Sequence, residues 1–534
     1  MKIAIVGAGV SGLSLAYYLH KYSKGNIEIV VYEQADRVGG NALTQELDLS
    51  RLDRPNTWVD MGVNDFNINT YNAMLDLWEE IGLPQNEYVG TLVNEASFFS
   101  YGATPEDTYG FKVSNNGDIS VHNLDNDTQY KIQQGFQDFE KFLKQWYAEN
   151  ENNPSAFKIT VKQFIHKYFT DIKYKPFVEL ALLPRINAMF FTYEESPMGR
   201  PPVLDMPMWL VSHYYVLQEG LGLDPDRPDK DEERKFFNQG CQKWLEFLAA
   251  KLIHDCRVNI QLAIDGIKVC SHGQGAYVYS NYGESSYYDK VVFCTPAYQV
   301  ERIADSLTFN SNKLLQKTKA FRYVPCVVYA NDDPNQVPPI WDFICAYNVR
   351  IYDYHNYALN SEQVEWPDWA KFDGMFKPYH MTYSANKHQP QLGEENAKDF
   401  YVTVNPLTTS SQDFREHILS QTNGEVARAT FLHCKFTQEA LEAQRYIQLN
   451  QIGNWNPPQN GSDLYDDVLH DRTFYLSGNY CNGAGLHTEC ILFSKDLAQA
   501  ILDPKFVSEN FYDHEGITGR HPAPAYIRKV LELK

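Results

Sequence analysis

The sequence lacks three features that would place it in a broad class at once. It has no apolar run of membrane-spanning length and no Cys-x-x-Cys pair, and its 47 Lys and Arg are outnumbered by 68 Asp and Glu. We therefore expect no transmembrane segment and no metal site. The net charge of −21 argues against nucleic acid or an anionic membrane as a partner, because either would require a basic face.

Disulfides are not expected either. Nine cysteines, an odd number scattered along the chain, fit reduced buried thiols better than a disulfide framework. Because the chain opens on a strand that the predicted fold needs, we expect no signal or transit peptide and a cytoplasmic location. A length of 534 residues suits two or three domains' worth of core, and the oligomeric state is left open.

The N-terminal segment carries the strongest signal. Residues 2–6 form a short apolar run, Gly7, Gly9 and Gly12 follow with Gly-x-Gly-x-x-Gly spacing, and an apolar segment with helical periodicity comes directly after. Gly7 permits a tight turn, Gly9 lets the backbone approach a pyrophosphate, and Gly12 lets helix and strand pack closely. The pattern predicts a strand, turn and helix that bind a dinucleotide.

Two further features of this unit concern the ligand. Val10 and Ser11, the first residues of the predicted helix, are expected contacts because a helix N-terminus offers free N–H groups to phosphate. A second predicted strand, residues 29–33, ends in Glu33, where an acid accepts hydrogen bonds from an adenosine ribose. Its carboxylate would repel a 2′-phosphate, so the sequence favours FAD or NAD over NADP.

The segment after Glu33 selects FAD. A plain NAD domain does not need the extension that contains Gln34, Arg37, Gly39, Gly40 and Asn41. This extension resembles the flavin-contacting segment of the flavin-containing amine oxidase superfamily, which implies that the paired glycines and the arginine meet the FAD pyrophosphate. The resemblance also implies an α/β fold, in which a Rossmann-like FAD-binding domain of the glutathione-reductase type is interleaved with a mixed α+β substrate domain.

The same resemblance places later segments at the flavin. Met61, Gly62 and Val63 match the segment that lies against the isoalloxazine ring, and Ile264 matches a backbone position beside the adenine. Residues 472–490 and the apolar stretch to residue 502 resemble the strand, loop and helix that reach the flavin pyrimidine. The resemblance therefore implies cofactor contacts from Gly478, Asn479, Leu486, His487 and Thr488.

Strand-like segments at 322–334, 381–389 and 400–406 narrow the resemblance. They are similar to those of FAD/NAD-binding flavoproteins often encoded beside cyclopropane-fatty-acid synthases, and residues 493–497 resemble a segment of FAD-dependent fatty-acid double-bond isomerases. Two departures stand out. The first of these strands has Pro325 and Cys326 but no lysine, although many amine oxidases place a lysine there near flavin N5. Glu489 ends a His-Thr-Glu triplet where the branch has His-Glu-Asp, so a catalytic carboxylate there is an open question.

The resemblance implies a chain of six alternating segments. The FAD-binding domain is expected from residues 1–97, 230–298 and 466–502. The substrate domain is expected from residues 98–229, mainly helical, and 299–465, a sheet plus helices, with a C-terminal tail at 503–534. Local patterns predict helices over 69–82, 130–147 and 236–252 and strands that include 258–260, 264–270 and 290–296.

The resulting hypothesis is a FAD-dependent oxidoreductase. Hydride would pass between flavin N5 and a largely apolar small molecule, such as an unsaturated acyl or polyene chain, in a desaturation or a redox-neutral isomerisation. His487 and Tyr480 are candidates for proton handling, because both lie on the loop expected to reach the flavin and a histidine there can titrate near neutrality. Two alternatives remain: an amine or amino-acid oxidase, with Arg185, Arg322 or Arg350 for a carboxylate, and a non-catalytic flavin-binding partner protein.

Overall fold

The computed structural model describes residues 1–48, 50, 56–101, 108–114, 117–150, 156–190, 202–221, 232–280, 285–331, 345–352, 379–389, 400–404, 425–453, 472–508 and 510. Its strands are β1 (Lys2–Val6), β2 (Glu28–Tyr32), β3 (Thr44–Leu47), β4 (Thr57–Asp60), β5 (Asp65–Asn67), β6 (Val89–Thr91), β7 (Ala96–Tyr101), β8 (Tyr109–Val113), β9 (Ile119–His122), β10 (Arg234–Phe237), β11 (Asn259–Gln261), β12 (Lys268–His272), β13 (Gly275–Tyr279), β14 (Ser285–Tyr288), β15 (Lys290–Phe293), β16 (Arg322–Asn331), β17 (Tyr347–Tyr352), β18 (Tyr379–Ser384), β19 (Tyr401–Val404), β20 (Glu425–Lys435) and β21 (Phe474–Leu476).

The helices of the described residues are α1 (Val10–Ser23), α2 (Asn72–Ile81), α3 (Gln85–Tyr88), α4 (Asn126–Asn150), α5 (Val161–Tyr168), α6 (Lys175–Phe177), α7 (Leu183–Phe190), α8 (Pro202–Asp205), α9 (Met208–Gln218), α10 (Cys241–His254), α11 (Ala297–Ile303), α12 (Ser306–Ser311), α13 (Lys313–Gln316), α14 (Ala385–His388), α15 (Gln438–Ile452) and α16 (His487–Leu502). A π-helical turn (Val178–Leu182) joins α6 to α7. None of these helices is both long and apolar enough to cross a membrane.

A five-stranded parallel sheet carries the N-terminal motif, in the order β11-β2-β1-β15-β21. The central strand β1 is buried from Ile3 to Val6, so both of its faces are covered, as the continuous apolar runs of such strands require. Helices α1 and α10 pack beside this sheet, α16 packs on α1, and the antiparallel sheet β12-β13-β14 contacts β1 and β15. The α/β architecture predicted from the sequence is present.

A second, eight-stranded sheet has the order β20-β16-β19-β18-β17-β7-β8-β9. Its one parallel pair is β17 with β7, and its other neighbours are antiparallel. The segment expected to be mainly helical from residue 98 in fact begins with strands, since β8 and β9 extend this sheet before α4 starts. These strands have only five and four residues, too few for a recognisable alternation. The proposed domain boundaries remain a prediction.

The predicted helices agree with the observed ones to different degrees at their first and last residues. The predictions over 69–82 and 130–147 are confirmed by α2, which ends at Gly82 with φ +74°, and by α4. The prediction over 236–252 is wrong at its start, because Phe236 lies in β10 and pairs with β5 and β6. Helix α10 begins only at Cys241, whose N–H donates to the Asp60 carboxylate at 3.0 Å.

Two predicted strands are also shorter than expected. The prediction over 264–270 is wrong before Lys268, because Ala263 and Gly266 both adopt positive φ (57° and 64°) and turn the chain at Ile264. The segment 381–389 leaves β18 at Ser384 and continues as the helical turn α14.

Candidate active site

A cavity of about 640 Å³ extends from the N-terminal turn to the eight-stranded sheet. It has two ends, which we call the dinucleotide end and the far end. The dinucleotide end is formed by β1, the start of α1, residues 33–42 and 61–64, the segments 264–268 and 294–303, and the loop 478–487. The far end is formed by α7, α9, β10 and strands of the eight-stranded sheet, with Tyr71, Asn94, Ala96, Phe98 and Phe436.

Backbone turns dominate the dinucleotide end. Gly7 has φ +110°, and a Cβ added there would lie 2.7 Å from the carbonyl oxygen of Cys294. A Cβ on Gly12 would lie 2.0 Å from the carbonyl oxygen of Gly7, so only glycine allows this close packing. The second glycine turn meets the first, since the Gly39 N–H donates to the Ala8 carbonyl at 2.9 Å.

The N-terminus of α1 opens onto the cavity. Gly9, Val10 and Ser11 line it, and no side chain caps the helix. The first N–H groups of a helix have no partner within the helix, and together with the helix dipole they favour an anion. These groups fit the pyrophosphate of a dinucleotide.

Glu33 is fixed at the cavity wall by two backbone groups. Its carboxylate accepts hydrogen bonds from the N–H of Ala8 at 2.7 Å and from that of Ala35 at 2.9 Å. A carboxylate has capacity for about four such bonds, so acceptor sites remain for ribose hydroxyls. Ile264 lies beside it, because the Ile264 N–H donates to the Glu33 carbonyl at 2.9 Å.

The other predicted contacts fall into two groups. Most line the cavity: Gly7, Gly9, Val10, Ser11, Glu33, Gln34, Gly39, Gly40, Asn41, Met61, Gly62, Val63, Ile264, Gly478, Asn479, Leu486 and His487. Gly12, Arg37 and Thr488 are not in its wall. The Arg37 guanidinium donates instead to the Gly40 carbonyl at 2.9 Å, and its burial lowers its pKa. It braces the glycine turn, and contact between any of these residues and FAD remains a prediction.

The C-terminal loop 478–486 is held from one side by Glu489. This carboxylate is fully buried and accepts hydrogen bonds from the N–H groups of Ala484 and Leu486, both at 3.0 Å. A Cβ on Gly483 would lie 1.7 Å from Glu489 Oε1. Glu489 therefore shapes the loop and is not part of the cavity wall.

A row of glutamines on α15 holds the loop from the other side. Gln444 donates to the carbonyls of Tyr480 and Gly483 at 3.2 and 3.0 Å. Gln448 donates to the carbonyl of Cys481 at 2.7 Å. Gln451 bonds both the N–H and the C=O of Leu476, at 2.7 and 2.8 Å. We call these three residues the glutamine row. It satisfies backbone groups that would otherwise be buried without partners.

The two candidates for proton handling differ in position. His487 lines the cavity and packs edge-on against Trp244, with ring centroids 5.6 Å apart. Burial lowers the pKa of His487 to about 4, so the ring is neutral at pH 7, contrary to the expectation that it titrates near neutrality. Tyr480 is fully buried, packs against Phe321 at 4.8 Å and is not in the cavity wall.

The far end has an extensive apolar wall. It is formed by side chains from α7, from the eight-stranded sheet and from the chain just after it: Ala96, Phe98, Ala188, Met189, Phe190, Val328, Val349, Met381, Val404, Phe431 and Phe436. Cys326 also lies in this wall, on the strand where many amine oxidases place a lysine and where this chain has none. The single lysine among the described lining residues is Lys268, near Ile264 at the opposite end.

Beside the apolar wall lies a set of paired charges, which we call the ionic wall: Asp65, Arg185, Glu219 and Arg234. The Arg234 guanidinium contacts the Asp65 carboxylate and lies 3.8 Å from Glu219, and Arg185 lies 2.7 Å from Glu219. Burial would lower the pKa of Arg234, but Asp65, Tyr347 and Glu219 outweigh it and hold that pKa well above its usual value. Burial would likewise raise the pKa of Glu219, but the two arginines leave it below the ordinary range.

Hydrogen bonds tie the ionic wall to its neighbours. Arg234 donates to the carbonyl of Gln218 at 2.6 Å and to the hydroxyl of Tyr347 at 2.9 Å. Gln218 donates in turn to Asp65 at 2.6 Å, and the Tyr347 hydroxyl also donates to Asp65. The wall is therefore a network in which each charge has a named partner.

Sequence reasoning missed most of the ionic wall. Of the three arginines proposed for a carboxylate, Arg185 lines the cavity, Arg322 is exposed and Arg350 is not in the cavity wall. Arg234 and Asp65 were not singled out, because they lie at the starts of β10 and β5 and are distant in the sequence. The available signal in the sequence for Arg234 was its position at the start of a strand that ends in two phenylalanines. Among the described residues, no group of three or more His, Cys, Asp or Glu could hold a metal ion.

Comparisons with known proteins give a consistent fold. A sequence profile of the family described as flavin containing amine oxidoreductase matches residues 10–331, more than half of the chain. Over 58 residues the chain is 41% identical to polyamine oxidase 1 of Oryza sativa subsp. japonica. That match spans 11% of this chain and 11% of that protein, so it covers about a tenth of the curated relative.

Two solved structures resemble this chain along nearly its whole length. One is a wild-type putrescine oxidase bound to putrescine, with a TM-score of 0.56, 14% identity and coverage of 94% of this chain and 99% of that one. The other is a CLA-producing fatty acid isomerase from P. acnes, with a TM-score of 0.57, 14% identity and coverage of 94% and 98%. At these identities the likeness shows the fold, and it confirms the predicted FAD-binding architecture.

Proposed function

From the premise that this chain belongs to the flavin containing amine oxidoreductase family and uses FAD, we propose a hydride transfer between flavin N5 and a largely apolar substrate. The substrate is an unsaturated acyl or polyene compound. The reaction is a desaturation, or a redox-neutral isomerisation in which the hydride returns to another carbon of the same molecule.

One observation carries this proposal: the cavity that begins at the uncapped helix N-terminus continues without a break into the apolar wall. A dinucleotide seated on α1 and the C-terminal loop would have its ring end directed toward that wall. Apolar side chains bind an apolar substrate by removing its surface from water, at about 25 cal/mol per Å². They also exclude water from the reacting centre.

In this proposal the chain's own residues have separate roles. The first N–H groups of α1 bind the pyrophosphate, and the Glu33 carboxylate accepts from the ribose. His487, neutral at pH 7, offers the cavity a hydrogen bond rather than a charge. Bound FAD supplies the hydride chemistry, so the residues around it bind and orient the substrate and exclude water from the site.

A second candidate is amine oxidation, and one observation favours it. Tyr71, Tyr214, Tyr347 and Tyr383 all line the cavity near the ionic wall. Tyrosine faces attract cations, so they would suit an amine. The lack of a lysine among the lining residues of β16 supports the first candidate instead.

The two candidates and the non-catalytic alternative separate in one experiment. The purified holoprotein is mixed without oxygen with unsaturated acyl compounds, as free acids and as amides, or with polyenes and, separately, with polyamines and monoamines, while the visible absorbance band of the flavin is followed. Bleaching by the apolar compounds, or a shifted double bond without net bleaching, is the expected result. Bleaching by amines alone would replace the first candidate with the second, and no change with any compound would leave a flavin-binding partner protein.

A further inference from the structure

The ionic wall is balanced in charge. Two guanidinium groups face two carboxylates, and the closest pairs are Arg234 with Asp65 and Arg185 with Glu219. The side chains of Arg234 and Asp65 are 4% and 8% exposed, so water contributes little to their neutralisation. The wall therefore presents paired charges and hydrogen-bonding groups to the cavity, with no net charge of its own.

This balance penalises a charged ligand. A carboxylate or an ammonium ion that enters the cavity loses its hydration, at a cost of several kcal/mol. Only an opposite charge that is free to pair with the ion would offset this cost. Arg185 already pairs with Glu219 at 2.7 Å, so a carboxylate that bound to this guanidinium would also meet the negative charge of Glu219 beside it. An ammonium ion could reach Glu219 or Asp65 only by displacing an arginine.

An uncharged polar group meets no such penalty. The same wall carries hydroxyls on Tyr71, Tyr214 and Tyr347 and the amide of Gln218. The Tyr71 hydroxyl donates to the Gln218 amide and the Tyr347 hydroxyl to Asp65, so these groups offer a ligand the acceptor capacity of the hydroxyl oxygens and the second N–H of the amide. A hydroxyl, a carbonyl or a carboxamide needs one or two such bonds, and it leaves both ion pairs intact.

We propose that the substrate of this site ends in an uncharged hydrogen-bonding group, held at the ionic wall, and not in a free carboxylate or an amine. This inference rests on the proposed function, because it concerns the polar end of the apolar substrate. It assigns the ionic wall as the subsite for that end, with Glu219 and Arg185 as the residues that exclude ions of either sign.

The first test uses the wild-type holoprotein and three ligands that share a ten-carbon chain: decanamide, decanoate and decylamine. Each is titrated at pH 7 while the perturbation of the flavin absorbance band is recorded. We expect the dissociation constant of decanamide to be lower than those of the other two by at least about tenfold. A tighter dissociation constant for decanoate or decylamine, or no perturbation by decanamide, would overturn the inference.

The second test removes one charge from the ionic wall, negative in one variant and positive in the other. Glu219→Gln leaves Arg185 without its carboxylate, so decanoate should gain affinity by about tenfold or more, while Arg185→Gln should favour decylamine by a similar factor. Glu149→Gln is the matched control, since it removes the same charge from an exposed pair with Lys167. It should not change the dissociation constant of any of the three ligands.

Unchanged selectivity in both variants would count against the ionic wall as the subsite. The wild-type series decides independently if a variant fails to fold. These ligands need not react, so the binding result is separate from the bleaching experiment, which alone judges the hydride-transfer proposal.

Discussion

The two ends of the cavity recognise their ligands in different ways. The dinucleotide end is built largely from backbone atoms: glycine turns, an uncapped helix and a loop fixed by Glu489. The far end is built from side chains that come from α7, α9, β5, β10 and β17. Recognition by backbone depends on the path of the chain, whereas recognition by the ionic wall depends on the balance of four charges.

This difference predicts different failures. An added methyl group at the dinucleotide end changes the path of the backbone or blocks the cofactor. A removed charge at the far end leaves its partner buried and unpaired. The changes below test that contrast, beginning with the largest effect.

Gly12→Ala should have the largest effect. An added Cβ would lie 2.0 Å from the carbonyl oxygen of Gly7, and backbone atoms cannot move aside cheaply, so we expect little soluble, flavin-bound protein. The measurement is the ratio of flavin absorbance to protein absorbance after purification.

Gly9→Ala is the matched control for this position. A Cβ on Gly9 meets only the Cα of Gly40, at 3.8 Å, so the protein should fold. The methyl group would still stand at the phosphate site and weaken FAD binding by roughly a hundredfold, or about 3 kcal/mol. A normal flavin content in Gly12→Ala would show that backbone packing does not limit this end.

Arg234→Met tests the far end. It leaves Asp65 buried without its closest cation, so the free energy of unfolding should fall by about 3–5 kcal/mol, measured by denaturant titration. The double variant with Asp65→Asn should recover most of this loss, because no unpaired charge remains. A loss below about 1 kcal/mol in the single variant would mean that the pairing at the far end contributes little.

Lowering the pH should reduce the stability of the fold through a buried histidine at each end of the cavity. His487 at the dinucleotide end and His433 at the far end both have their pKa lowered to about 4 by burial. An unfolded histidine has a pKa of about 6.5, so the unfolded state binds more protons between these values, and stability falls as the pH drops from about 6.5 toward 4. Each histidine should cost about 2 kcal/mol at pH 5 relative to pH 8.

Denaturant titrations at pH 8 and pH 5 check this expectation. In His487→Gln and His433→Gln the difference between the two pH values should shrink by about 2 kcal/mol each, whatever the variant does to the absolute stability. The exposed residue His272 provides the control, because its replacement by Gln removes a histidine from the surface and leaves the buried ones in place. An unchanged difference in both buried variants would contradict the lowered pKa values.

The smallest effect is expected in the glutamine row. Gln448→Leu removes the hydrogen bond to the carbonyl of Cys481 at 2.7 Å and a longer one to the Asn482 side chain at 3.4 Å, so the free energy of unfolding should fall by about 1 kcal/mol. Gln133→Leu, at an exposed position of α4, should change it by less than about 0.5 kcal/mol. Equal losses in both variants would show that the row does not support the loop.

The same contrast explains what the sequence could predict. The dinucleotide turn lies within twelve consecutive residues, and Glu33 follows at a fixed interval, so local pattern was enough to predict α1, β1 and a dinucleotide, whereas the family resemblance implied FAD and its fold. The ionic wall joins residues that are up to 169 positions apart, as in the pair Asp65 and Arg234. No local pattern connects such residues, because only the pairing of β5 with β10 brings them together.

Helix and strand limits failed for a related reason. Phe236 and Phe237 suit the apolar face of a helix as well as a buried strand, and the partners of β10 are far away in sequence. The Asp60 carboxylate, which accepts from the N–H of Cys241 at the start of α10, is likewise remote. Side-chain periodicity recognises an element, whereas its first residue is set by tertiary contacts.

The parallel sheet imposes an order on biosynthesis. Strands β1 and β2 are synthesised long before β21, which completes the sheet, and before α16, whose Ser494 hydroxyl donates to the Ser11 carbonyl of α1 at 3.1 Å. More than 450 residues are therefore translated while the cofactor turn is exposed and incomplete. A nascent chain of this kind should depend on chaperones until α16 is released, and FAD should bind only after α16 has packed against α1.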